Sequence, residues 1–237
     1  MSSPEHKPSL GVVIPALNAA AGLLATLQAL QEALACFDLD VVVVDGGSTD
    51  ETKAVAQAQG ARVIGSPRGR GVQMAAGAVA VRGDWLLFLH ADTVLEAGWA
   101  AALSGFMASA VADRCAVYFR FALDDDHPGA RRIERGVAWR CRTLALPYGD
   151  QGLALASDLY NRLGGYSPLP LMEDVNFVRR IKRQQGRDAL VGLDVAARTS
   201  AVRYRTGGYW RRPRRNLFCL MLYFLGVPVN TIARMYR

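Results

Sequence analysis

Asp92 stands three residues beyond a short apolar run, in the segment Leu86-Leu87-Phe88-Leu89-His90-Ala91-Asp92-Thr93. A hard divalent cation on a diphosphate needs only one or two protein carboxylate oxygens, with phosphate and water completing its shell. An acid just past the end of a buried strand can supply one. His90 is either a second ligand or phosphate donor, or a hydrogen-bonded structural residue at a strand end. Another acid, Asp45, ends the β-branched run Val41 to Val44 and opens the turn Gly46-Gly47-Ser48-Thr49-Asp50. It either accepts hydrogen bonds from a nucleobase or ribose, or caps the glycine turn. A basic turn, Arg68-Gly69-Arg70-Gly71, runs into Val72-Gln73-Met74-Ala75-Ala76-Gly77. Helix-start N–H groups beside arginine forks suit a diphosphate; the alternative is an exposed loop. The turn lacks the G-K-[ST] ending of a Walker A loop, and no G-x-G-x-x-G follows the first apolar run. Finally, Glu173-Asp174 opens a helical stretch. Such a pair either answers the helix dipole or offers a general base for the proton of an attacking hydroxyl.

Elements must bring these residues together. Leu10–Ile14, Val41–Val44, Ala61–Ile64 and Trp85–Leu89 are short apolar runs that read as buried strands. Between them, Ala19–Phe37, a segment capped by Asp50 through about Gln59, and Val72–Val81 read as helices. Uniformly apolar strands alternating with helices predict an α/β fold, a mostly parallel sheet covered on both faces. Ligands bind beyond the carboxyl ends of such strands. The loops Pro15-Ala16-Leu17-Asn18, Asp45-Gly46-Gly47-Ser48 and His90-Ala91-Asp92 are therefore expected to meet at one crevice. The second half predicts a strand at Ala116–Leu123, a helix at Ala130–Leu144 and a short strand at Gly152–Ala156. A helix follows at Glu173–Gln185, then two helical pieces over Asn216–Arg237, broken at Gly226 and Pro228.

The 237 residues fit one domain. A net charge of +7 and a pI near 9.5 imply either an anionic partner or many solvated arginines. Cys36, Cys115, Cys141 and Cys219 form no C-x-x-C pair, which argues against a zinc site and fits a reducing cytoplasm. Met1–Ser9 carries no apolar leader, and Leu217–Val229 is too short to span a bilayer. Arg203, Arg205, Arg211, Arg212, Arg214 and Arg215 precede the apolar segment Leu217–Leu225. Residues 203–225 are therefore either a basic amphipathic surface for anionic lipid, or Leu217–Leu225 packs on the core and the arginines are solvated. Trp139, Tyr148, Tyr166 and Trp210 are either sugar-stacking aromatics or core.

In order and kind, these elements resemble family 2 glycosyltransferases of the GT-A fold. The resemblance rests on Ile14-Pro15-Ala16-Leu17-Asn18, Val44-Asp45-Gly46-Gly47-Ser48-Thr49-Asp50, His90-Ala91-Asp92, Gly164-Gly165-Tyr166 and Glu173-Asp174. Finer features resemble the radical SAM/selenodomain-associated transferase 2 subgroup: Gly71-Val72-Gln73-Met74-Ala75-Ala76-Gly77-Ala78, Phe88 to Thr93, Leu146-Pro147-Tyr148-Gly149-Asp150-Gln151-Gly152, and Leu225-Gly226-Val227-Pro228. The resemblance implies a Rossmann-like three-layer sandwich over residues 1–237, with 208–237 as a C-terminal helical extension. It implies a nucleotide-sugar donor, with UDP expected ahead of GDP, and an acceptor hydroxyl compound that can be lipid-linked. Pro15, Leu17, Asn18, Asp45, Gly46, Arg68, Arg70, Gln73, His90 and Ala91 are expected around the nucleotide. Asp92 is expected to bind Mg2+ or Mn2+. Asp174, with Glu173 beside it, is expected to act as base in an inverting displacement, while Asp150 and Gln151 face donor sugar or acceptor. His90 stands where the family has the first acid of its D-x-D element. The stretch Arg198 to Tyr204 lacks the family's Q-x-x-R-W signature, which counts against a processive polymer synthase.

Other functions are expected to leave other marks. A nucleotidyltransferase would carry a glycine-rich basic loop after the first strand, where this chain has Ala16-Leu17-Asn18. A nucleic-acid module would carry zinc ligands, an RNP strand or a helix-turn-helix signature; none is read here, so no nucleic-acid partner is expected. A catalytically inactive nucleotide-sugar-binding protein would have no need of Asp45, Asp92 and Asp174 together.

Overall fold

The apolar runs become strands that lie side by side. The computed structural model describes residues 7–236, apart from the side chains of Arg203 and Arg212, so the polar segment 1–6 lies outside the described residues. In chain order the elements are β1 (Ser9–Ala16), α1 (Ala20–Leu30), β2 (Asp38–Asp45), α2 (Thr52–Ala58), β3 (Arg62–Gly65) and α3 (Arg70–Ala80). Then come β4 (Trp85–Phe88), β5 (Thr93–Leu95), α4 (Trp99–Met107), β6 (Ala116–Leu123), α5 (Pro128–Leu144) and β7 (Leu153–Ala156). The chain ends in α6 (Ser157–Arg162), α7 (Glu173–Gln185), β8 (Leu190–Thr199), α8 (Val202–Gly207), α9 (Arg211–Phe224) and α10 (Val229–Tyr236).

The strands form one sheet in the order β3-β2-β1-β4-β7-β6-β8-β5. The first four are parallel, with Val13 of β1 level with Val42 on one side and Phe88 on the other. β7 is antiparallel to both its neighbours, β6 and β8 are parallel, and β5 closes the edge antiparallel to β8. Leu10, Val12, Val13 and Ile14 have no exposed area, as a strand covered on both faces requires. Alternation then sorts the side chains. Val12, Ile14 and Leu87 pack with Leu23 and Leu27 of α1 and Trp99 and Leu103 of α4. Val13, Val42, Val44 and Phe88 pack on the other side with Met74 of α3, Leu159 of α6 and Phe177 and Ile181 of α7. The result is the expected three-layer helix–sheet–helix sandwich.

Several elements differ from the sequence expectation. The Ala19–Phe37 stretch breaks after Leu30 into a tighter 3-10 turn, Gln31–Ala35. β5, α4, α6, β8 and α8 carry no clear local pattern. The start of α4 is capped from far away: the Glu32 carboxylate accepts from the N–H of Gly98 at 2.9 Å and of Ala100 at 3.3 Å. Asp50 does cap α2, accepting from Thr52 N at 3.1 Å, and its other oxygen accepts from Ala20 N at the start of α1.

α3 lies close on the sheet because Gly77 has no side chain. A methyl group there would run into the Val13 side chain and stand 2.9 Å from Val44 Cγ2. Gly77→Ala is therefore expected to destabilise the protein by about 1–3 kcal/mol through overpacking. Gly105→Ala, on α4 with open space around it, should stabilise by about 0.4–1 kcal/mol. Urea unfolding of the two variants checks the contrast, and equal effects would show that α3 does not need the close approach.

Candidate active site

The strand order reverses beside β1: the chain runs outward to β2 and β3, then returns to place β4 on the other flank. At such a switch point the loops leaving the two central strands part and leave a crevice. Here it has a volume of about 930 Å3 and is lined by Pro15, Leu17 and Asn18 after β1 and His90, Ala91 and Asp92 after β4. Arg70, Tyr148, Asp150, Glu173 and Asp174 line its other wall.

Backbone ties hold these loops. Asn18, at φ +48°, accepts from Thr49 N at 2.9 Å through Oδ1 and donates its own N–H to Ser48 Oγ. The Gln73 Nε2 donates to the carbonyls of Ala16 (2.9 Å) and Val44 (2.8 Å), joining the ends of β1 and β2. Asp45 accepts from the N–H of Gly47 and Ser48 at 3.1 Å. Burial works against its charge, but these hydrogen bonds outweigh that and hold its carboxyl below the usual range. On the opposite side, Ser200 N donates to the Asp92 carbonyl at 3.2 Å, and Thr199 Oγ1 donates to the Asp150 carbonyl at 3.3 Å. β8, unforeseen in the sequence, thus fixes both acids.

Four carboxyl groups meet around one arginine. Arg70, the first residue of α3, lies 3.5 Å from Glu173, the first residue of α7. The Arg70 side chain is still 45% exposed; crowding by protein works against its charge, but Glu173, Asp174, Asp92 and Asp150 outweigh that and raise its pKa. Glu173 is 2% exposed, and burial with the adjacent Asp174 lifts it to about 7 despite Arg70. Burial also lifts Asp150 to about 6; Arg140 and Arg70 oppose the lift, while Asp174 and Asp92 add to it. The Asp174 carboxylate accepts from Gly149 N at 2.9 Å and from Val175 N at 2.7 Å. Gly149 can come this close only without a side chain, since a methyl group there would stand 2.8 Å from His90 Nε2. Met172, just before α7, holds a left-handed conformation at φ +61°, the kind of strain kept where a site demands it.

These residues fit a divalent cation shared with a ligand. Among the described residues no three His, Cys, Asp or Glu side chains converge into a ready-made cage. Asp150 Oδ1 is buried without a hydrogen-bond partner among the described residues, and Asp92 adds its negative charge beside it. A wall where four carboxyl groups surround one arginine suits a hard ion that takes its remaining ligands from a diphosphate and water.

Of the residues expected around a nucleotide, Pro15, Leu17, Asn18, Arg70, Gln73, His90 and Ala91 line the crevice, as do the expected metal ligand Asp92 and the acids Asp150, Glu173 and Asp174. Asp45 and Gly46 stand behind the lining, in the turn that positions Asn18. Arg68 is exposed and outside it. Gln151 is buried and committed to protein: Nε2 donates to Phe119 O at 3.1 Å, and Oε1 accepts from Arg140, Cys141 and Tyr148. It braces the loop carrying Asp150 instead of facing a sugar. Tyr148 lines the crevice, Tyr166 is core, and Trp139 and Trp210 are exposed. Thr199, Ser200, Tyr204, Asn216 and Tyr236 also line it; they come from β8 and the C-terminal helices, and no sequence signal marked them.

The family model described as Glycosyl transferase family 2 matches residues 11–156. The PGL/p-HBAD biosynthesis glycosyltransferases of Mycobacterium bovis and Mycobacterium tuberculosis are 39% identical over 108 residues, covering 42% of this chain and 42% of theirs. The chain thus matches less than half the length of these curated relatives. Among solved structures, glucosyl-3-phosphoglycerate synthase from Mycobacterium tuberculosis with Mn2+, UDP and glucosyl-3-phosphoglycerate superposes with a TM-score of 0.66. It is 20% identical, over 93% of this chain and 81% of that one. The same enzyme with Mn2+, UDP-glucose and phosphoglyceric acid gives 0.65. At that identity the likeness shows the fold.

The lifted acids have a consequence for stability. An acid with a raised folded pKa binds more protons folded than unfolded, so stability falls as pH rises from the unfolded to the folded value. For Asp150 and Glu173 that window runs from about pH 4 to about pH 7. Without divalent ions, the unfolding free energy is expected to fall by about 1–3 kcal/mol across it. Asp150→Asn and Glu173→Gln should each flatten the fall in urea titrations at pH 5 and pH 8. A profile that rises over this range would contradict the assignment.

Proposed function

The chain belongs to glycosyl transferase family 2, and on that premise we propose that it moves a sugar from a nucleoside-diphosphate sugar to a hydroxyl acceptor, with inversion at the anomeric carbon. The observation that carries this reading is the convergence of Asp92, Asp150, Glu173 and Asp174 on Arg70 at the carboxyl ends of β1 and β4. Uridine diphosphate is the proposed nucleotide and Mg2+ or Mn2+ the proposed ion. Solved structures of the same fold hold UDP with Mn2+ or Mg2+, which supports both assignments. The proposed enzyme is one domain with 208–237 as its extension, working in the cytoplasm or at the inner face of a membrane.

In this reading Pro15, Leu17 and Asn18 line the nucleoside end of the crevice. Asp92 would hold the divalent ion, which when bound supplies positive charge beside the diphosphate. Arg70, with its fork between the acids, would donate to the diphosphate oxygens and stabilise their growing charge as the nucleotide departs. Asp174 takes the proton from the acceptor hydroxyl as that oxygen bonds to the anomeric carbon. The bond from that carbon to the phosphate oxygen breaks in the same step, and the nucleoside diphosphate leaves with the electron pair. The Gly149 and Val175 N–H groups aim the Asp174 carboxylate for that transfer. Glu173, sealed against Arg70, positions that arginine and is too buried to reach an acceptor. Asp150 would face the donor sugar or the acceptor. A lipid-linked hydroxyl compound is the proposed acceptor class, since an exposed, basic and apolar helix borders the crevice.

The test is thermal stability with UDP, GDP and ADP, each with Mn2+ and with EDTA. A ligand at ~100 times its dissociation constant adds ~2.7 kcal/mol. UDP is expected to raise the melting temperature only with metal, and Asp92→Ala should abolish the rise. If no nucleotide stabilises the protein under either condition, the donor reading fails. Asp174→Asn should keep the UDP–Mn2+ shift while lowering transfer or donor hydrolysis by ~100- to 10,000-fold, the range for a general base. A shift with no turnover in the unsubstituted protein would indicate a nucleotide-sugar-binding protein instead.

A further inference from the structure

Helix α9 is apolar toward solvent. Leu217, Phe218, Met221 and Phe224, with Leu225 just beyond, are 47–74% exposed. At 100° per residue, the steps 217, 218, 221, 224 and 225 fall within one third of the helix circumference. Trp210, 60% exposed at the start of the helix, lies on the same stripe seven residues before Leu217. The opposite side carries the residues that pack inward, Cys219 and Leu220, and Tyr223, whose hydroxyl accepts from Asn176 Nδ2. The expectation that Leu217–Leu225 packs on the core is thus met only by the inner half of the helix. An exposed apolar stripe of this kind marks an interaction surface.

Charge indicates what covers it. From residue 195 to residue 237 the chain has nine Arg and no Asp or Glu. Arg211, Arg214 and Arg215 are exposed at the first turns of α9, and Arg179 of α7 flanks Phe224 with its guanidinium 4.9 Å from the ring. Two copies meeting on this face would bring together two arginine-rich segments that carry no acid between residues 195 and 237, and like charges oppose that. An interfacial helix has this composition: Trp, Phe and Leu on one side, arginine beside them. Among the described residues no helix is long and apolar enough to cross a membrane, so such a helix would lie along the surface.

We propose that α9 is a docking helix for an anionic lipid bilayer, with Trp210, Leu217, Phe218, Met221, Phe224 and Leu225 entering the headgroup region and the arginines at its start pairing with lipid phosphates. The inner side of the helix borders the crevice, since Asn216 lines it and accepts from the Tyr236 hydroxyl, which lines it too. Docking would therefore bring the crevice to the lipid surface. The proposal does not depend on which donor the crevice takes.

The test is cosedimentation of the full chain with phosphatidylcholine vesicles and with 3:1 phosphatidylcholine–phosphatidylglycerol vesicles. At least tenfold more protein is expected to bind the anionic vesicles. Leu217→Ser, Met221→Ser and Phe224→Ser together should reduce binding to the neutral-vesicle level, while the melting temperature and its shift with UDP and Mn2+ stay unchanged. Binding retained by that variant would overturn the proposal, because arginines alone would then suffice. No binding of the unsubstituted protein to anionic vesicles would also overturn it. So would a concentration-dependent dimer, seen by light scattering, that the serine variant abolishes. If the serine variant does not fold, brominated lipid decides the matter: it should quench the unsubstituted protein's tryptophan emission, and Trp210→Phe should lose most of that quenching. Absence of quenching would overturn the proposal.

Discussion

β1 is hydrogen-bonded on both sides by parallel strands, and the chain reaches those neighbours in opposite directions along the sheet. Parallel pairing sends the carboxyl ends of β1, β2, β3 and β4 to one edge. The reversal of direction leaves the loops after β1 and β4 facing each other across a gap. Every proposed role of a crevice residue depends on that gap. It is kept at its width by packing on the sheet: α3 sits against Val13 and Val44 through Gly77, and Gln73 ties two strand ends by their carbonyls. The same helix delivers Arg70 from its first turn, so the distance from sheet to helix sets where the arginine lies among the acids.

The crevice is arranged against the preferences of its own side chains. Glu173 is buried with a raised pKa, Asp150 has an oxygen without a partner, and Met172 holds a backbone conformation that costs on the order of 1–3 kcal/mol. A stable empty protein would gain from replacing each of them. Their presence together makes sense if positive charge arrives with the ligand, and the proposed divalent ion would bring that charge and the oxygen-seeking chemistry to go with it. Rigid core on both faces of the sheet is what lets the structure hold such an edge, because neither layer can relax without opening close-packed side chains.

α9 joins the two ends of the proposed biology. Its inward side helps close the crevice through Asn216, while its outward side displays an apolar stripe beside arginine. One helix can serve both uses because 3.6 residues per turn separate the two sets of positions by a third to a half of the circumference. A substitution on one side should leave the other largely untouched.

Much of the molecule is legible in its sequence. Hydropathy placed β1, β2, β3, β4, β6 and β7, and the carboxyl ends of β1, β2 and β4 marked three loops, of which those after β1 and β4 line the crevice while that after β2 stands behind them and holds Asn18. α7 begins at Glu173 as the acid pair and following pattern predict. These features are local: a continuous apolar run or a helix start depends on neighbours a few residues away. β5, β8 and α4 were not legible, because β5 is defined by pairing with β8 across a hundred residues, β8 by pairing with the distant β6, and α4 by a cap on Glu32. Composition likewise could not separate Arg68, which stands outside the crevice, from Arg70, which lines it among four acids. Nor could it show that Gln151 gives its whole amide to protein partners, or which half of Leu217–Leu225 faces outward. By itself the sequence determined the fold class and the identity of the acids at the strand ends. The tertiary structure alone decided which side chains face one another, because a side chain's partner is set by where distant segments are brought together in space.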